Sequence, residues 1–326
     1  MSKARRSSAG KVHPTTNTAP RCLVVGPGAI GCLLAAKLAE GGCDVVLLDH
    51  KPARARALTR SGLRIDTSSS SRRVRVPVVT GQRLPGEAVD YIFVCVKCHD
   101  TRNAISAAAP AIGPATIVVS MQNGLGNAEM IARFVPGSRV VCGVTGHGAI
   151  NLGPGRVFHA GNGRTRVASM ASIAAASAMR VARLLRRAGM HTTWMPDARA
   201  MLWGKLIVNA SINPLTAVLD LQNGKLLTLP AAKGIMLRAA AEGAAVAEAC
   251  GVSLPFRSPA REVIAACKAT RNNISSMLQD LRGHRKTEIE YITGEVIRAA
   301  RRHRVPVPVN RMLFAMISAL EERSLQ

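Results

Sequence analysis

The sequence predicts an α/β chain: a mostly parallel sheet covered on both faces, followed by an all-helical second part. Three observations carry this. Short apolar runs at 22–25, 45–48, 74–79, 91–96, 117–119 and 140–144 are separated in several places by helical patterns. A glycine-rich turn, Gly26-Pro27-Gly28-Ala29-Ile30-Gly31, joins the first run to a helical pattern from Leu33 to Ala39. Beyond Trp194 the strand signals largely stop, and the rest of the chain reads as helix.

The chain opens on residues 1–20, a polar stretch with Lys3, Arg5, Arg6 and Lys11 and no acidic residue, expected to be a disordered basic tail. An organellar transit peptide would need an amphipathic apolar face that this stretch lacks. The first domain is expected over 21–195. Strand, glycine turn and helix in succession give the GxGxxG motif its proper setting, since the glycines let the backbone approach a pyrophosphate at a helix N-terminus. The second strand closes on Asp49, where a carboxylate can accept the ribose hydroxyls of a dinucleotide. In such sheets the ligand lies at the carboxyl ends of the strands, which singles out Lys97 and Gln122-Asn123-Gly124. His99 and His147 lie nearby and receive no role, because a histidine beside a strand end is most often structural.

Pro196 is the expected hinge, and the second domain is expected over 196–326. It opens on Trp203 to Pro214. At 3.6 residues per turn Lys205, Asn209 and Asn213 share one face, while Leu206, Ile207, Val208 and Ile212 cover the rest. A helix apolar over most of its circumference is buried, and a buried ammonium is costly unless paired, so this stripe is expected to face a cleft or a ligand. The proline predicts the helix end at Asn213. Ile274, Met277, Leu278 and Leu281 predict a later helix with Ser275 and Ser276 in its first turn, and Thr287 and Glu290 have the spacing of a capping box opening another. From pattern alone Glu288, in that first turn, is structural.

Composition narrows the function classes. At 48% hydrophobic residues with few aromatics, the interior must be filled by Ala, Val, Leu and Ile. No apolar run is long enough to cross a bilayer, and the start lacks a secretory apolar core, so the expected location is the cytoplasm, with no membrane partner. The net charge of +25 would suit nucleic acid, yet the arginines are scattered without interleaved aromatic platforms, so no nucleic-acid partner is expected. Eight cysteines without a secretion signal are expected as thiols, and Cys95-x-x-Cys98 lacks the second CxxC of a zinc ribbon, so no metal is expected.

Taken together, GPGAIG, VKCHDT, QNGLGN, WGKLIVNASINPLTA, NISSMLQDL, TEIEYITG and the late Val307-Pro308-Val309-Asn310 resemble the ketopantoate reductase family, from Arg21 to Leu320. The glycine motif is shared by many dehydrogenases; the lysine helix with NISSMLQD and TEI is far more specific. The resemblance implies a Rossmann domain, an all-helical C-terminal domain and NADPH-dependent reduction of 2-dehydropantoate to pantoate. It implies Lys205 as general acid, and Asn123, Asn209, Asn213, Asn223 and Ser276 toward a small-molecule 2-oxo acid. It further implies Lys97, Asn123, Ala149 and Glu288 near the cofactor, beside the glycine turn from Gly26 to Gly31. That reverses the pattern-level reading of Glu288.

Physical chemistry supports these roles independently. Hydride reaching a ketone carbon builds negative charge on oxygen, which a proton donor and a fixed amide stabilise more in the transition state than in the ground state. The dinucleotide preference is where the residues disagree with the resemblance. The family's commonest members carry an arginine just past the second strand, whereas this chain reads Asp49-His50-Lys51-Pro52-Ala53-Arg54. Asp49 is expected to repel a 2′-phosphate and admit NADH; Lys51 and Arg54 are expected to hold the phosphate of NADPH. Alternatives are a reductase of another 2-oxo acid, a dinucleotide-sensing protein without chemistry, and a nucleic-acid binder. The retained Lys205, Asn209 and Ser276 argue against a sensor. Either a monomer or a homodimer suits the reading.

Overall fold

The computed structural model describes residues 19–81, 84, 86–171 and 174–325, so nearly all of the expected basic tail lies outside the described residues. Strand β1 (Arg21–Val25) lies third from one edge of an eight-stranded sheet. On one side lie β2 (Asp44–Leu48) and the two-residue β5 (Val78–Val79). On the other lie β6 (Tyr91–Val94), β7 (Ile117–Ser120), β8 (Val140–Thr145), β11 (Thr165–Ser169) and β12 (Thr192–Trp194). Every pairing is parallel except β8 with β11. Strands are added on one side of β1 through β2 and β5 and on the other from β6 onward, and the crevice beyond the carboxyl ends of β1 and β6, where that order switches, is where such folds take ligands. This is a doubly wound, Rossmann-type sheet.

Apolar cores form on both faces. Leu33, Leu34 and Leu38 of α1 (Ala29–Glu40) and Val181 and Leu185 of α5 (Ala175–Arg187) pack on one. Ala104 and Ile105 of α3 (Thr101–Ala108) and Ile131 of α4 (Asn127–Ile131) pack on the other. A second sheet of four short strands, in the order β4 (Ser71–Val74), β3 (Leu63–Asp66), β10 (Arg156–Gly161), β9 (Gly148–Gly153), lies against α1. The apolar run at 74–79 is thus not one strand. Val74 closes β4 in the small sheet and Val78 opens β5 in the large one, with Pro77 between them offering only its carbonyl, to Leu47 N–H at 2.9 Å.

After β12 the described chain is all helical. Helix α6 (Ala198–Leu219) is capped by Asp197, whose side chain accepts from Ala200 N–H at 3.0 Å. Around it pack α7 (Pro230–Ala249), α8 (Pro259–Ala269), α9 (Ser276–Arg282) and α11 (Pro308–Leu325), with α10 (Thr293–His303) against α7 and α11. The expected end of the lysine helix at Asn213 is corrected: α6 runs through Pro214 to Leu219 and stops where Asp220 turns left-handed at φ 53°. Proline in a helix interior costs about 3 kcal/mol or more, and here burial outweighs it, with Ile212, Pro214, Leu215 and Ala217 all in the core. Thr216 Oγ1 contributes by donating back to the Ile212 carbonyl at 3.0 Å.

The capping box at Thr287 is also corrected. Thr287 Oγ1 accepts from Ile289 N–H at 3.1 Å, a single 3₁₀ turn over Ile289–Tyr291 comes next, and α10 begins only at Thr293. Glu290 takes no part in a cap, since its carboxylate accepts from Arg298 at 3.1 Å. The helix expected from Ile274 starts at Ser276, with Ser275 as its cap, accepting from Leu278 N–H at 3.2 Å.

Candidate active site

The glycine turn has the form its spacing predicts. Gly26 sits at φ 100°, and a Cβ there would lie 2.7 Å from Val96 Cγ1, so the turn packs against the chain leaving β6. At Gly31 a Cβ would lie 1.9 Å from the Gly26 carbonyl oxygen, which lets α1 begin directly against the turn. Gly28 differs: among the described residues nothing beyond its chain neighbours lies within 4 Å of a Cβ placed there. Its open side, at the uncapped start of a twelve-residue helix with no acidic residue in its first turn, fits a pyrophosphate. Pro27, Ala29 and Ile30 complete the turn.

At the ends of β6 and β7 the two parts of the chain meet. Lys97 Nζ lies 2.5 Å from Asp280 Oδ2 and 3.6 Å from Glu288 Oε2. Glu288 Oε1 accepts from Cys98 N–H at 3.2 Å and faces the Cys98 thiol at 3.1 Å, while Oε2 accepts from Asn123 Nδ2 at 3.2 Å. Asn123 Oδ1 in turn accepts from Asn209 Nδ2 at 3.3 Å. One carboxamide from the sheet thus joins two side chains of the helical part. Burial pushes the Lys97 ammonium down, but Glu288 and Asp280 outweigh it and hold it above its ordinary range; burial holds Asp280 up against the opposing pull of Lys97. Gly124 makes the approach possible. At φ 78°, with a Cβ position 2.3 Å from the Tyr291 carbonyl oxygen, it leaves no room for a side chain, and Leu125 N–H donates to the same carbonyl at 3.1 Å.

Lys205 is half-buried on α6, one turn before Asn209, and lines a cleft with Asn123, Met121, Thr145 and Leu202. Burial holds its ammonium below the ordinary lysine range; Arg166 pushes the same way and Glu262 opposes. Among the described residues Lys205 forms no ion pair, so its charge is presented to the cleft.

The remaining expected residues divide. Asn213 is buried on the same face, and Ser276 is half-buried as the first residue of α9. Asn223 is turned elsewhere: its Nδ2 donates to Thr270 Oγ1 at 2.9 Å, and its buried Oδ1 has no hydrogen-bond partner among the described residues. Ala149, on β9 opposite His159, packs against the core beneath α1 and takes no part in the Lys97 cluster. Lys51 is exposed at the start of α2 (Pro52–Ser61). Asp49 departs from expectation: its side chain has 0% exposure, and its oxygens accept from Arg54 Nε at 2.5 Å, Arg54 Nη2 at 2.6 Å and Lys51 N–H at 3.0 Å. A ribose hydroxyl has no carboxylate surface to reach there. Cys95 and Cys98 diverge, the first beside Gly31 and the second facing Glu288.

Sequence reasoning missed Asp280, Cys98 and Asn127, whose Nδ2 donates to the Asn123 carbonyl at 2.9 Å. Asp280 lies within NISSMLQD and needed only a cation to accept it, but Lys97 is 183 positions away. Replacing Asp280 by Ala is expected to cost about 1–3 kcal/mol, less than for a sealed pair because the Lys97 side chain keeps 34% exposure. Thermal unfolding reads this, and an unchanged Tm would show that Glu288 alone suffices for Lys97.

A glycine turn at the switch point of a doubly wound sheet, together with a half-buried lysine and two asparagines on one face of a helix beside the ends of that sheet's strands, marks a dinucleotide-dependent oxidoreductase. The sequence comparisons give the family. Residues 22–172 match the model for "Ketopantoate reductase PanE/ApbA" and residues 197–321 that for its C-terminal part. The chain belongs to the ketopantoate reductase family. It is 38% identical over 299 residues to a 2-dehydropantoate 2-reductase of Halobacterium salinarum, covering 91% of this chain and 97% of that protein. In structure it is similar to a PanE/ApbA family ketopantoate reductase from Ralstonia eutropha, with 29% identity, TM-score 0.83, and 94% and 100% of the two chains covered. It is also similar to D-mandelate dehydrogenase in a ternary structure with NADH and anilino(oxo)acetate, with 25% identity, TM-score 0.87, and 93% and 99% covered. No helix among the described residues is long and apolar enough to cross a membrane.

Proposed function

We propose that this chain reduces 2-dehydropantoate to pantoate with NADPH, with Lys205 as the proton donor. The observation that carries the reading is the cleft at the strand ends that Lys205 of α6 shares with Asn123, with Asn209 bonded to the same asparagine. Gly26 to Gly31 would hold the pyrophosphate, and Lys97 and Glu288 would border the nicotinamide end. When bound, the dinucleotide supplies a hydride. As the carbonyl carbon gains it, the bond order to oxygen falls and charge collects there; the Lys205 ammonium gives that oxygen its proton and becomes a neutral amine. Desolvation makes the ammonium a better acid, because it destabilises the charged form before transfer and loses that penalty after it. Asn123 and Asn209 offer carboxamides beside the oxygen, and the Ser276 hydroxyl and the Asn213 amide suit the substrate carboxylate without adding fixed charge. Asn223, whose Nδ2 donates to Thr270 Oγ1, contributes least to this set.

A second reading, reduction of another 2-oxo acid, draws on the similarity to D-mandelate dehydrogenase. Steady-state NADPH oxidation against 2-dehydropantoate, aliphatic 2-oxo acids and an aryl 2-oxo acid separates the two. The highest kcat/KM is expected for 2-dehydropantoate. A higher value for the aryl acid would move the assignment to the second reading, and no turnover with any of them would end both.

A further inference from the structure

The acid at the end of β2 usually selects the cofactor: an exposed carboxylate accepts the ribose hydroxyls of NADH and repels the 2′-phosphate of NADPH. In this chain the acid is present and the reverse geometry is built around it. We propose that Asp49 is a positioning residue that aims Arg54 at the 2′-phosphate, so that the carboxylate serves NADPH recognition rather than opposing it. This rests on the dinucleotide occupying the crevice as proposed above.

The exposures decide which group a cofactor meets. The Asp49 side chain is 0% exposed and that of Arg54 29%. Arg54 meets Asp49 side-on through Nε and Nη2, at 2.5 and 2.6 Å, a bidentate contact that fixes the plane of the guanidinium. Nη1 makes no bond among the described residues, and its two N–H groups remain for an anion. The surroundings carry the same sign. Lys51 is exposed, the His50 side chain is 75% exposed, and α2, ten residues long, starts without a side-chain cap or an acidic residue in its first turn. Burial works to raise Asp49, but Arg54 and the Lys51 N–H outweigh it, and Asp49 is held below the ordinary carboxylate range. Both of its oxygens are engaged by Arg54. Without Asp49 the arginine has no partner to hold its fork in place, and an unrestrained guanidinium must give up rotamer freedom to grip a phosphate.

The prediction inverts the ordinary one: removing the acid weakens NADPH recognition. The test uses adenosine 2′,5′-bisphosphate and 5′-AMP, which differ only in the 2′-phosphate, titrated against the full chain. The wild type is expected to bind the bisphosphate at least about tenfold more tightly. Arg54→Ala should abolish that preference, Asp49→Ala should remove most of it, and the double variant should fall no further than Arg54→Ala, because the two act as one unit. Where Asp49→Ala fails to fold by thermal unfolding, Asp49→Asn keeps the shape and an acceptor for Lys51 N–H, and it too should lower the preference. An increased preference in either Asp49 variant, or equal binding of the two probes by wild type, overturns the proposal. The titration contains no 2-oxo acid and no hydride transfer, so an inactive protein that still reads the 2′-phosphate leaves this inference standing. Conversely, a reductase that treats both probes alike removes it and leaves the reduction in place.

Discussion

Lys205→Ala is expected to lower kcat for ketone reduction by about a hundredfold to ten-thousandfold while leaving dinucleotide binding nearly unchanged. The separation comes from placement. Lys205 lies on α6 in the helical part, and the glycine turn lies beyond β1 in the sheet, so the variant removes the donor without touching the cofactor's support. The pH profile gives a second readout. The donor must be protonated, so reduction falls as pH rises through its pKa. Because burial and Arg166 press that pKa below the ordinary lysine value of 10.5, the falling limb should come earlier than an exposed lysine would give. The limb should vanish or change shape in Lys205→Ala. Near-normal turnover in a folded variant would mean that the proton comes from elsewhere and that the cleft has been misread.

Gly31→Ala is expected to disable the protein at the other side of the crevice. The added methyl would lie 1.9 Å from the Gly26 oxygen and 3.1 Å from the Gly26 carbon, both backbone, with Cys95 Cβ at 3.3 Å. No side chain can swing aside, so turn or helix must move, at a cost in the upper part of the ~1–3 kcal/mol range for overpacking. Tm should fall and dinucleotide binding should be lost together. Gly28→Ala is the informative contrast. With nothing among the described residues beyond its chain neighbours within 4 Å of the new atom, Tm should hold while affinity falls, since the methyl takes space a phosphate would use. If Gly28→Ala binds the dinucleotide normally, the pyrophosphate lies elsewhere.

The sequence was legible where a residue's neighbours in space are also its neighbours in the chain. The strands through the sheet centre are continuous apolar runs because both faces are buried, and Lys205 and Asn209 share a face because they are four residues apart. The small sheet was not legible, since Ser71–Val74 presents two arginines and a serine to a half-exposed surface and offers no apolar run. The antiparallel turn of the large sheet at β11 was missed for a similar reason: Thr165 and Arg166 open it. At the site, the pairing of Lys97 with Asp280 and of Asn123 with Glu288 depends on how two units dock, which no local pattern encodes. At Asp49 the acid was legible and its burial was not, because Arg54, the partner that covers it, lies on the next helix.

The proline in α6 carries a consequence for how the face bearing Lys205 comes into being. An isolated segment of 22 residues with proline in its last third and several β-branched residues has little intrinsic tendency to coil into a helix. Its shape is imposed by the helices packed around it, so the lysine is presented by the assembled core and not by its own stretch of chain. Grafting the same dozen residues into another scaffold would transfer the lysine and leave its orientation behind.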